Sequence, residues 1–347
     1  MNEELVSTLE KLKEEGAWHF DPSEGNIDPK ILSDQETMKH MISIDPDILQ
    51  YASDEIKNNR ELVTLAVRKQ HSALEYASDE LKSDRDIARI ALYKGGAWGF
   101  GQVGDELKAD RDFAIEAVLC DGDSLEYVDE NFQSDREIVM IAVKRSGTAL
   151  QYADEELQAD LEVVMTAVRS YGCAFEYADE ELQSNFEVAM TALKTDGTAL
   201  EFAGQDLRDT KELVMEAIMN DGDALEFASK QMKSDPEVVK VAILTSGGAL
   251  QYAAKSFKQD KEYAIISCSR DRYIFEELEK SMRSDKDIAL AAVTENGSAL
   301  EYASKDIQAD KDIVLVAIMD DYEALDHASG ELKKDKELSQ LKEILES

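Results

Sequence analysis

The apolar positions of the chain recur every 25 residues. In the copy that begins at Asp135 they lie at i, i+1, i+4 and i+5, the spacing of one helical face: Ile138, Val139, Ala142 and Val143. Every step between copies is 25 residues except one of 26, and the copies begin at Asp34, Asn59, Asp84, Asp110, Asp135, Asp160, Asn185, Thr210, Asp235, Asp260, Asp285, Asp310 and Asp335. A fixed period in this range is typical of arrays whose units bury their apolar faces on their neighbours.

Each copy predicts two short antiparallel helices. Asp135 is placed to cap the first helix, because its carboxylate can accept the unpaired N–H groups of the first turn. Pro236 directly follows the cap Asp235, and the first helical position is where proline is tolerated. Gly147 is predicted to end the first helix in the left-handed conformation, and its counterparts are Gly122, Gly172, Gly197, Gly222, Gly247 and Gly297. The second helix is predicted over about residues 148–158, which makes the unit a helical hairpin.

Two columns of equivalent residues are predicted to control the stacking of these units. Small residues on the first helix should allow close helix approach: Ala66, Ala91, Ala117, Ala142, Ala167, Ala192, Ala217, Ala242, Ala292 and Ala317. Aromatic residues on the second helix are predicted to be core rather than a ligand stripe: Tyr51, Tyr76, Tyr127, Tyr152, Tyr177, Phe202, Phe227, Tyr252 and Tyr302.

The fold class that follows is all-α, a right-handed or superhelical α-solenoid of about thirteen 25-residue helical hairpins. Three segments are expected. Residues 1–29 form an N-terminal capping helix and an irregular loop, residues 30–334 the tandem repeats, and residues 335–347 a C-terminal capping helix. A terminal repeat needs a polar outer face to stay soluble, and both ends are rich in charge.

The formal charge of -37 arises from 38 basic and 75 acidic residues that are spread evenly along the chain. Such a charge opposes direct binding to nucleic acid or to anionic membranes and favours a basic protein partner. Cys120, Cys173 and Cys268 fall at three different repeat positions, which predicts reduced thiols rather than a disulfide framework. Without an apolar signal core or membrane span, we expect an intracellular, cytoplasmic protein, with a monomer favoured.

An acidic residue stands two positions after every cap. The thirteen residues of this acidic column are Glu36, Glu61, Asp86, Asp112, Glu137, Glu162, Glu187, Glu212, Glu237, Glu262, Asp287, Asp312 and Glu337. Acids in a first helical turn are stabilised by the helix dipole, and a basic residue often precedes them, which together explain the column structurally. The alternative is a ladder of carboxylates that binds a basic partner, with Glu137, Glu162, Glu187, Glu212 and Glu237 as its candidate residues.

Departures from the repeat are the other candidate binding positions. Trp18 and Trp98 occur in the related motifs GAWHF and GGAWGF, each before an irregular segment. We expect tryptophan to fill a wider gap at a stacking defect, the alternative being an exposed contact for a partner. Arg272 and Tyr273 lie in a third irregular segment, where Glu277 takes the aromatic position and a repacked unit competes with a binding site.

No pattern in the chain predicts catalysis, a metal site or a cofactor. The four histidines are scattered, and there is no phosphate loop, nucleophile elbow or zinc-ligand spacing. Paired carboxylates are too abundant here to carry catalytic information.

The repeat resembles a family of tandem helical repeats from bacteria and protists, the domain of unknown function 4116. The resemblance is carried by an Asp-x-Glu-Ile-Val start that alternates with an Ala-Leu-Glu-Tyr-Ala segment, as in DREIVMIAV, KDIVLVAI, ALEYASDEL and ALEYASKDI. It covers about residues 30–340. It implies helical repeats and supplies no catalytic residues.

The function expected from these observations is a non-enzymatic scaffold that presents an extended acidic surface to a basic or mixed-charge protein. The first alternative is a polyanion mimic that inhibits a nucleic-acid-binding protein. An enzyme of unknown class is the second alternative.

Overall fold

The computed structural model describes residues 31–346, so the predicted N-terminal capping helix and Trp18 lie outside the described residues. The secondary structure of these described residues is helical, with no strand among them. The chain divides into two compact units, Met1–Ser170 and Tyr171–Ser347. Within each unit successive repeats pack on one another, which confirms the all-α repeat solenoid for each of them.

A regular repeat contains three helical segments, although in the repeat that begins at Asp84 the first two are joined in Arg85–Gly101. The first, the long helix, is α-helical in Gln35–Ile44, Arg60–Lys69, Arg85–Gly101, Arg111–Cys120, Arg136–Arg145, Leu161–Ser170, Phe186–Leu193, Lys211–Asn220, Pro236–Thr245, Lys261–Cys268, Lys286–Glu295, Lys311–Asp320 and Lys336–Glu346. The second, the middle helix, is a 3₁₀ helix in Pro46–Tyr51, His71–Tyr76, Gly122–Glu126, Gly147–Tyr152, Gly172–Tyr177, Gly197–Phe202, Gly222–Phe227, Gly247–Tyr252, Gly297–Tyr302 and Tyr322–His327, and an α-helical turn in Ile274–Glu277.

The third segment is a single turn that leads into the next cap. It is α-helical in Asp54–Lys57, Asp79–Lys82, Asp105–Lys108, Glu130–Gln133, Glu155–Gln158, Glu180–Gln183 and Lys255–Lys258. It is 3₁₀ in Ile31–Ser33, Leu207–Asp209, Met232–Ser234, Met282–Ser284, Ile307–Ala309 and Leu332–Lys334.

The predicted Asp and Asn caps of the long helices are confirmed, whereas the side chain of Thr210 makes no cap hydrogen bond. The carboxylate of Asp135 accepts hydrogen bonds from the backbone N–H groups of Glu137 at 2.9 Å and Ile138 at 3.3 Å. Asn185 caps its helix in the same way through its amide oxygen. Pro236 occupies the first helical position after Asp235, where its missing N–H leaves no donor unpaired.

The single second helix predicted over residues 148–158 is wrong, because the chain breaks after the middle helix. Ala153 is extended, with φ -75° and ψ 151°, and the side chain of Asp154 then caps the third segment. The backbone N–H of Asp154 donates to the carbonyl of Gln133 in the preceding repeat at 3.0 Å. The break therefore frees a backbone donor that links two repeats, a role that a continuous helix could not provide.

The predicted left-handed glycine caps are also wrong. The long helix of the Asp135 repeat ends at Ser146, which is extended, with φ -142° and ψ 116°, and among described residues only Gly96 has a positive φ. The glycines instead begin the middle helices and lie against the next repeat. A Cβ placed on Gly122 or on Gly222 would lie 2.5 Å from the carbonyl oxygen of Ala142 or Ala242, respectively. Glycine is required there because two backbones meet.

The core lies between the long and middle helices. Every member of the alanine column is buried, which confirms its predicted packing role. From the middle helix, Ala149 and Leu150 are fully buried, whereas Tyr152 is only half-buried. The aromatic column therefore lies at the margin of the core rather than inside it, so this prediction is wrong in degree. Burial, and then the carboxylate of Glu126 in the preceding repeat, raise the pKa of Tyr152 to about 12.

The 26-residue repeat that begins at Asp84 absorbs its extra residue at a kink in the helix Arg85–Gly101. Gly96 has φ 55° there, and the backbone N–H of Ala97 donates to the carboxylate of Asp121 at 2.9 Å. The preceding repeat carries His71 at the usual glycine position. A Cβ on Gly95 would lie 2.5 Å from the imidazole Cγ of His71, so glycine at 95 makes room for this histidine.

We expect Gly222→Ala to destabilise the protein by about 1–3 kcal/mol, because the new methyl group would overlap the carbonyl oxygen of Ala242. Gly330→Ala is the control, since a Cβ there meets nothing within 4 Å and the chain entropy lost on folding falls. Thermal melting followed by circular dichroism measures both. Equal melting temperatures for the two variants would contradict the close backbone approach.

Candidate interaction surface along the long helices

The acidic column is paired with basic residues of the neighbouring repeat. In the described part of the chain, eight basic residues at position 2, directly after a cap, contact the cap of the next repeat, and six of them, all but Arg85 and Lys286, also contact its acidic residue at position 3. The Arg136 guanidinium lies 3.0 Å from the carboxylate of Asp160 and 2.6 Å from that of Glu162. We call this series the ion ladder; its other members are Arg60 with Asp84 and Asp86, Arg85 with Asp110, Arg111 with Asp135 and Glu137, Lys211 with Asp235 and Glu237, Lys261 with Asp285 and Asp287, Lys286 with Asp310, and Lys311 with Asp335 and Glu337.

The ladder changes the ionisation of the caps. The hydrogen bond from Arg136 lowers the pKa of Asp160, and the hydrogen bond from Lys211 lowers the pKa of Asp235. The position 3 acids of the ladder are more exposed than the caps, so each pair is screened by solvent. The acidic column is thus largely a structural feature that links repeats. Of the five candidate residues from the sequence, Glu137, Glu162 and Glu237 are held in this way.

The ladder is interrupted where position 2 is not basic, at Gln35, Leu161, Phe186 and Pro236. After Gln35, Lys39 substitutes from the next turn of the same helix, and its ammonium lies 2.6 Å from the carboxylate of Glu61. After Pro236, Lys240 substitutes from the next turn of the same helix and lies 3.0 Å from Glu262. After Leu161 and Phe186 the position of Lys240 is taken by Met165 and Met190, so neither repeat offers such a substitute. Consequently Glu187 and Glu212 form no ion pair with any residue of the described range 31–346.

Exposed apolar side chains lie beside these two unpaired carboxylates. Phe186 is 42% exposed and Met219 is 57% exposed, while Met190 and Met215 are half-buried. On one long helix Glu212, Met215 and Met219 are spaced i, i+3 and i+7, so they share a face. We call this surface the acidic–apolar face; its residues are Phe186, Glu187, Met190, Glu212, Met215 and Met219.

Sequence reasoning placed Glu187 and Glu212 among the candidates but missed the apolar members of this face. The signal that could have found them is the change of residue type at position 2. Along the sequence, Arg136 and Lys211 make ladder contacts before and after the interruption, whereas Leu161 and Phe186 replace the cation and Phe186 adds an exposed ring.

Trp98 does not fill a gap, so that prediction is wrong. Trp98 is 71% exposed, although it aligns with the half-buried Thr148 of the regular repeat. The neighbouring space is filled by Phe100, which is fully buried with its ring centroid 6.0 Å from that of Phe113. The extra residue is absorbed at Gly96, and no wider gap remains for the tryptophan.

Arg272 and Tyr273 lie in the repeat that begins at Asp260, apart from the acidic–apolar face along the chain. Tyr273 is 67% exposed, and the Arg272 guanidinium lies 5.5 Å from its ring centroid. The carbonyl of Arg272 accepts a hydrogen bond from the amide of Asn296 in the following repeat. The structure thus gives Arg272 a packing contact and leaves Tyr273 free to meet a partner.

The remaining chemistry of the described residues is sparse. No group of three or more His, Cys, Asp and Glu side chains in residues 31–346 is arranged to hold a metal ion. The three cysteines are free thiols, and burial raises the pKa of Cys268 to about 12, which keeps it protonated. In the same part of the chain, no helix has the length and apolar character needed to cross a membrane.

Comparison with known protein families agrees with this architecture. The family model described as Domain of unknown function (DUF4116) matches in eight overlapping segments, residues 34–78, 59–108, 110–158, 160–208, 185–233, 210–259, 235–283 and 260–308. The chain is therefore a tandem-repeat protein, and it belongs to the DUF4116 family, which confirms the resemblance seen in the sequence. No curated protein and no solved structure gives a match.

We expect Asp160→Asn to separate capping from the ion ladder. Asn caps well, as Asn185 shows, so the variant keeps its helix start but loses the charge that Arg136 contacts. Asp160→Ala loses both and should be less stable by about 1 kcal/mol.

The difference between wild type and Asp160→Asn should depend on pH. The pKa of Asp160 is lowered in the folded state, so its charge stabilises the fold fully above the ordinary value of 3.8. This stabilisation is lost as the pH falls through the lowered folded-state pKa. Melting curves of the two proteins should therefore differ at neutral pH and converge in acid; a constant difference would contradict the ladder.

Proposed function

We propose that the protein is a non-enzymatic scaffold that binds a basic amphipathic helix of a partner protein on the acidic–apolar face. The observation that carries this proposal is the interruption of the ion ladder at Leu161 and Phe186, together with the lack of any ion pair to Glu187 or Glu212 within the described residues 31–346. Of the other eleven column residues, eight form ion pairs within the described residues, and Glu36, Asp112 and Asp312 do not. Carboxylates that are free and lie beside exposed apolar side chains are suited to an external cation.

The shape and chemistry of the face suit a helix. Apolar and acidic side chains alternate along it at helical spacing, and a helix with a basic edge and an apolar stripe would complement both. Methionine adapts to different apolar partners because its side chain is unbranched and polarizable. Repeats from Asn185 to Ser234 contain ten acidic and five basic residues, so a net negative field also favours the encounter.

The polyanion-mimic alternative is disfavoured by the ladder. A phosphate backbone presents unpaired charges at regular intervals, whereas here arginine and lysine neutralise most of the repeating carboxylates. These ion pairs give the acidic column a structural role, so the column no longer supports the polyanion-mimic alternative.

The test compares two matched double variants. Glu187→Gln with Glu212→Gln removes the unpaired acids, and Glu137→Gln with Glu162→Gln removes two acids of the ladder. The probe is a synthetic basic amphipathic peptide, whose association is followed by surface plasmon resonance at low and high salt. We expect the first pair to slow association severalfold at low salt without changing the melting temperature, because long-range attraction acts mainly on the association rate.

We expect the second pair to lower the melting temperature and to leave association nearly unchanged. Equal binding by both double variants would refute the acidic–apolar face as the site. Tight, steeply salt-dependent capture of nucleic-acid-binding proteins that ignores both pairs would support the polyanion mimic instead.

A further inference from the structure

A groove of about 390 Å³ opens between the repeat that begins at Asp235 and the one that begins at Asp260. Leu250 and Gln251 line it from the first repeat, and Ile274 and Leu278 line it from the second. Glu277, which takes the place of the aromatic column in its repeat, also borders it. This volume lies within the range of about 300–1,000 Å³ typical of binding pockets. We call it the Glu277 groove.

Regular junctions show what normally occupies this place. The ring of Tyr152 is half-buried between its own repeat and the preceding one, and Glu126 of the preceding repeat lies close enough to perturb its hydroxyl. Tyr252 has the same relation to Glu226. In the repeat before the groove, Leu250 and Gln251 stand at the positions of Leu125 and Glu126. The groove is therefore bordered by the same positions that border a column ring elsewhere.

The floor of the groove is more apolar than in a regular repeat. Ile274 and Leu278 stand where the Asp135 repeat has Ala149 and Ala153. They remain 5% and 7% exposed, whereas Glu277 itself is exposed and covers little. A larger apolar floor without its aromatic cover is an unusual combination in this array, because enlarged side chains alone would be expected to close the gap.

The two repeats are also less tightly joined at this point. At regular junctions a backbone N–H after the buried position 19 donates to the preceding repeat, as from Ser229 to Arg208 at 2.9 Å. The equivalent bond from Glu279 to Lys258 is not formed in the described structure. Instead, the Lys255 ammonium lies 3.9 Å from the carboxylate of Glu279 across the groove. A weak, exposed ion pair of this kind can yield to a ligand.

We propose that the Glu277 groove binds a tyrosine or phenylalanine side chain of a partner segment. The chain uses these two side chains itself in the equivalent places, at Tyr252 and Phe227 among others. The amide of Gln251 offers a hydrogen-bonding group where a tyrosine hydroxyl would end, and Lys255 can approach the ring face. This inference rests on the proposed scaffold function, because it supplies a second contact for a protein partner.

The decisive variant is Glu277→Tyr, which returns the chain's own ring to the column. The probes are a short uncharged peptide with a central tyrosine and the same peptide with alanine in its place, and binding is measured by isothermal titration calorimetry. Wild type should bind the tyrosine peptide at least about tenfold more tightly than the alanine peptide, since burial of an aromatic ring contributes well over 1.4 kcal/mol. Glu277→Tyr should lose this preference and melt at a higher temperature.

Two further variants keep the test independent of a single substitution. Ile274→Ala restores the regular floor residue and should weaken tyrosine-peptide binding while circular dichroism stays unchanged. Glu279→Gln removes the ion pair with Lys255 without filling the groove and should retain binding. Equal affinity for the two peptides, or unchanged binding by Glu277→Tyr, would overturn the inference.

The outcome also separates this inference from the scaffold proposal. The basic amphipathic peptide should bind Glu277→Tyr as it binds wild type, because its site is the acidic–apolar face. If that peptide binds and the tyrosine peptide does not, only the groove proposal fails. If the tyrosine peptide binds and the basic peptide does not, the acidic–apolar face is refuted and the groove stands.

Discussion

The close approach of the middle 3₁₀ helix to the carbonyl end of the next long helix is the constraint on which the repeat depends. A Cβ on Gly122, Gly172, Gly222 or Gly247 would lie 2.5–2.6 Å from a carbonyl oxygen of the following repeat. At these four junctions a side chain would not fit, so glycine starts the middle helix and a small residue stands in the facing helix, whereas Pro46, His71 and Tyr322 start it in other repeats. Where Ser267 replaces the alanine, it is fully buried and its hydroxyl donates to the carbonyl of Gly247. The backbone contact is thus kept even when the side chain changes.

The register of the backbones also determines which charged side chains of neighbouring repeats meet. A residue at position 2 of one repeat comes within reach of the next cap, so a single Arg or Lys can satisfy two carboxylates. Because of this register, a substitution at position 2 changes the ion pairing of carboxylates at the surface. Phe186 both removes a cation and adds an exposed ring, and the free carboxylate of Glu212 results from that one substitution. The identity of the residue at position 2 therefore decides which carboxylates of the column are paired and which are not.

Local rules predicted the period, the Asp and Asn caps and the buried alanines, because each depends on residues within a few positions of one another. They failed for the glycines, since the contact of Gly222 is with Ala242, twenty residues later, and a glycine after a helix is usually a left-handed cap. They failed for Trp98 because the register inside an irregular repeat cannot be counted without the kink at Gly96. The acidic column was visible in sequence. Which of its members are free could be seen only after Arg136 was found to contact Glu162 rather than its own repeat.

The contact between His71 and Gly95 has a consequence for how such an array can change in length. Regular repeats are interchangeable at their junctions, because each presents glycine to the carbonyl end of the next. The repeat that begins at Asn59 presents a histidine instead, and only a neighbour with glycine at that point accommodates it. These two repeats can therefore be duplicated, lost or transplanted only together. Between repeats that carry glycine at this position the exchangeable piece is one repeat, whereas at the junction of His71 and Gly95 it is a pair.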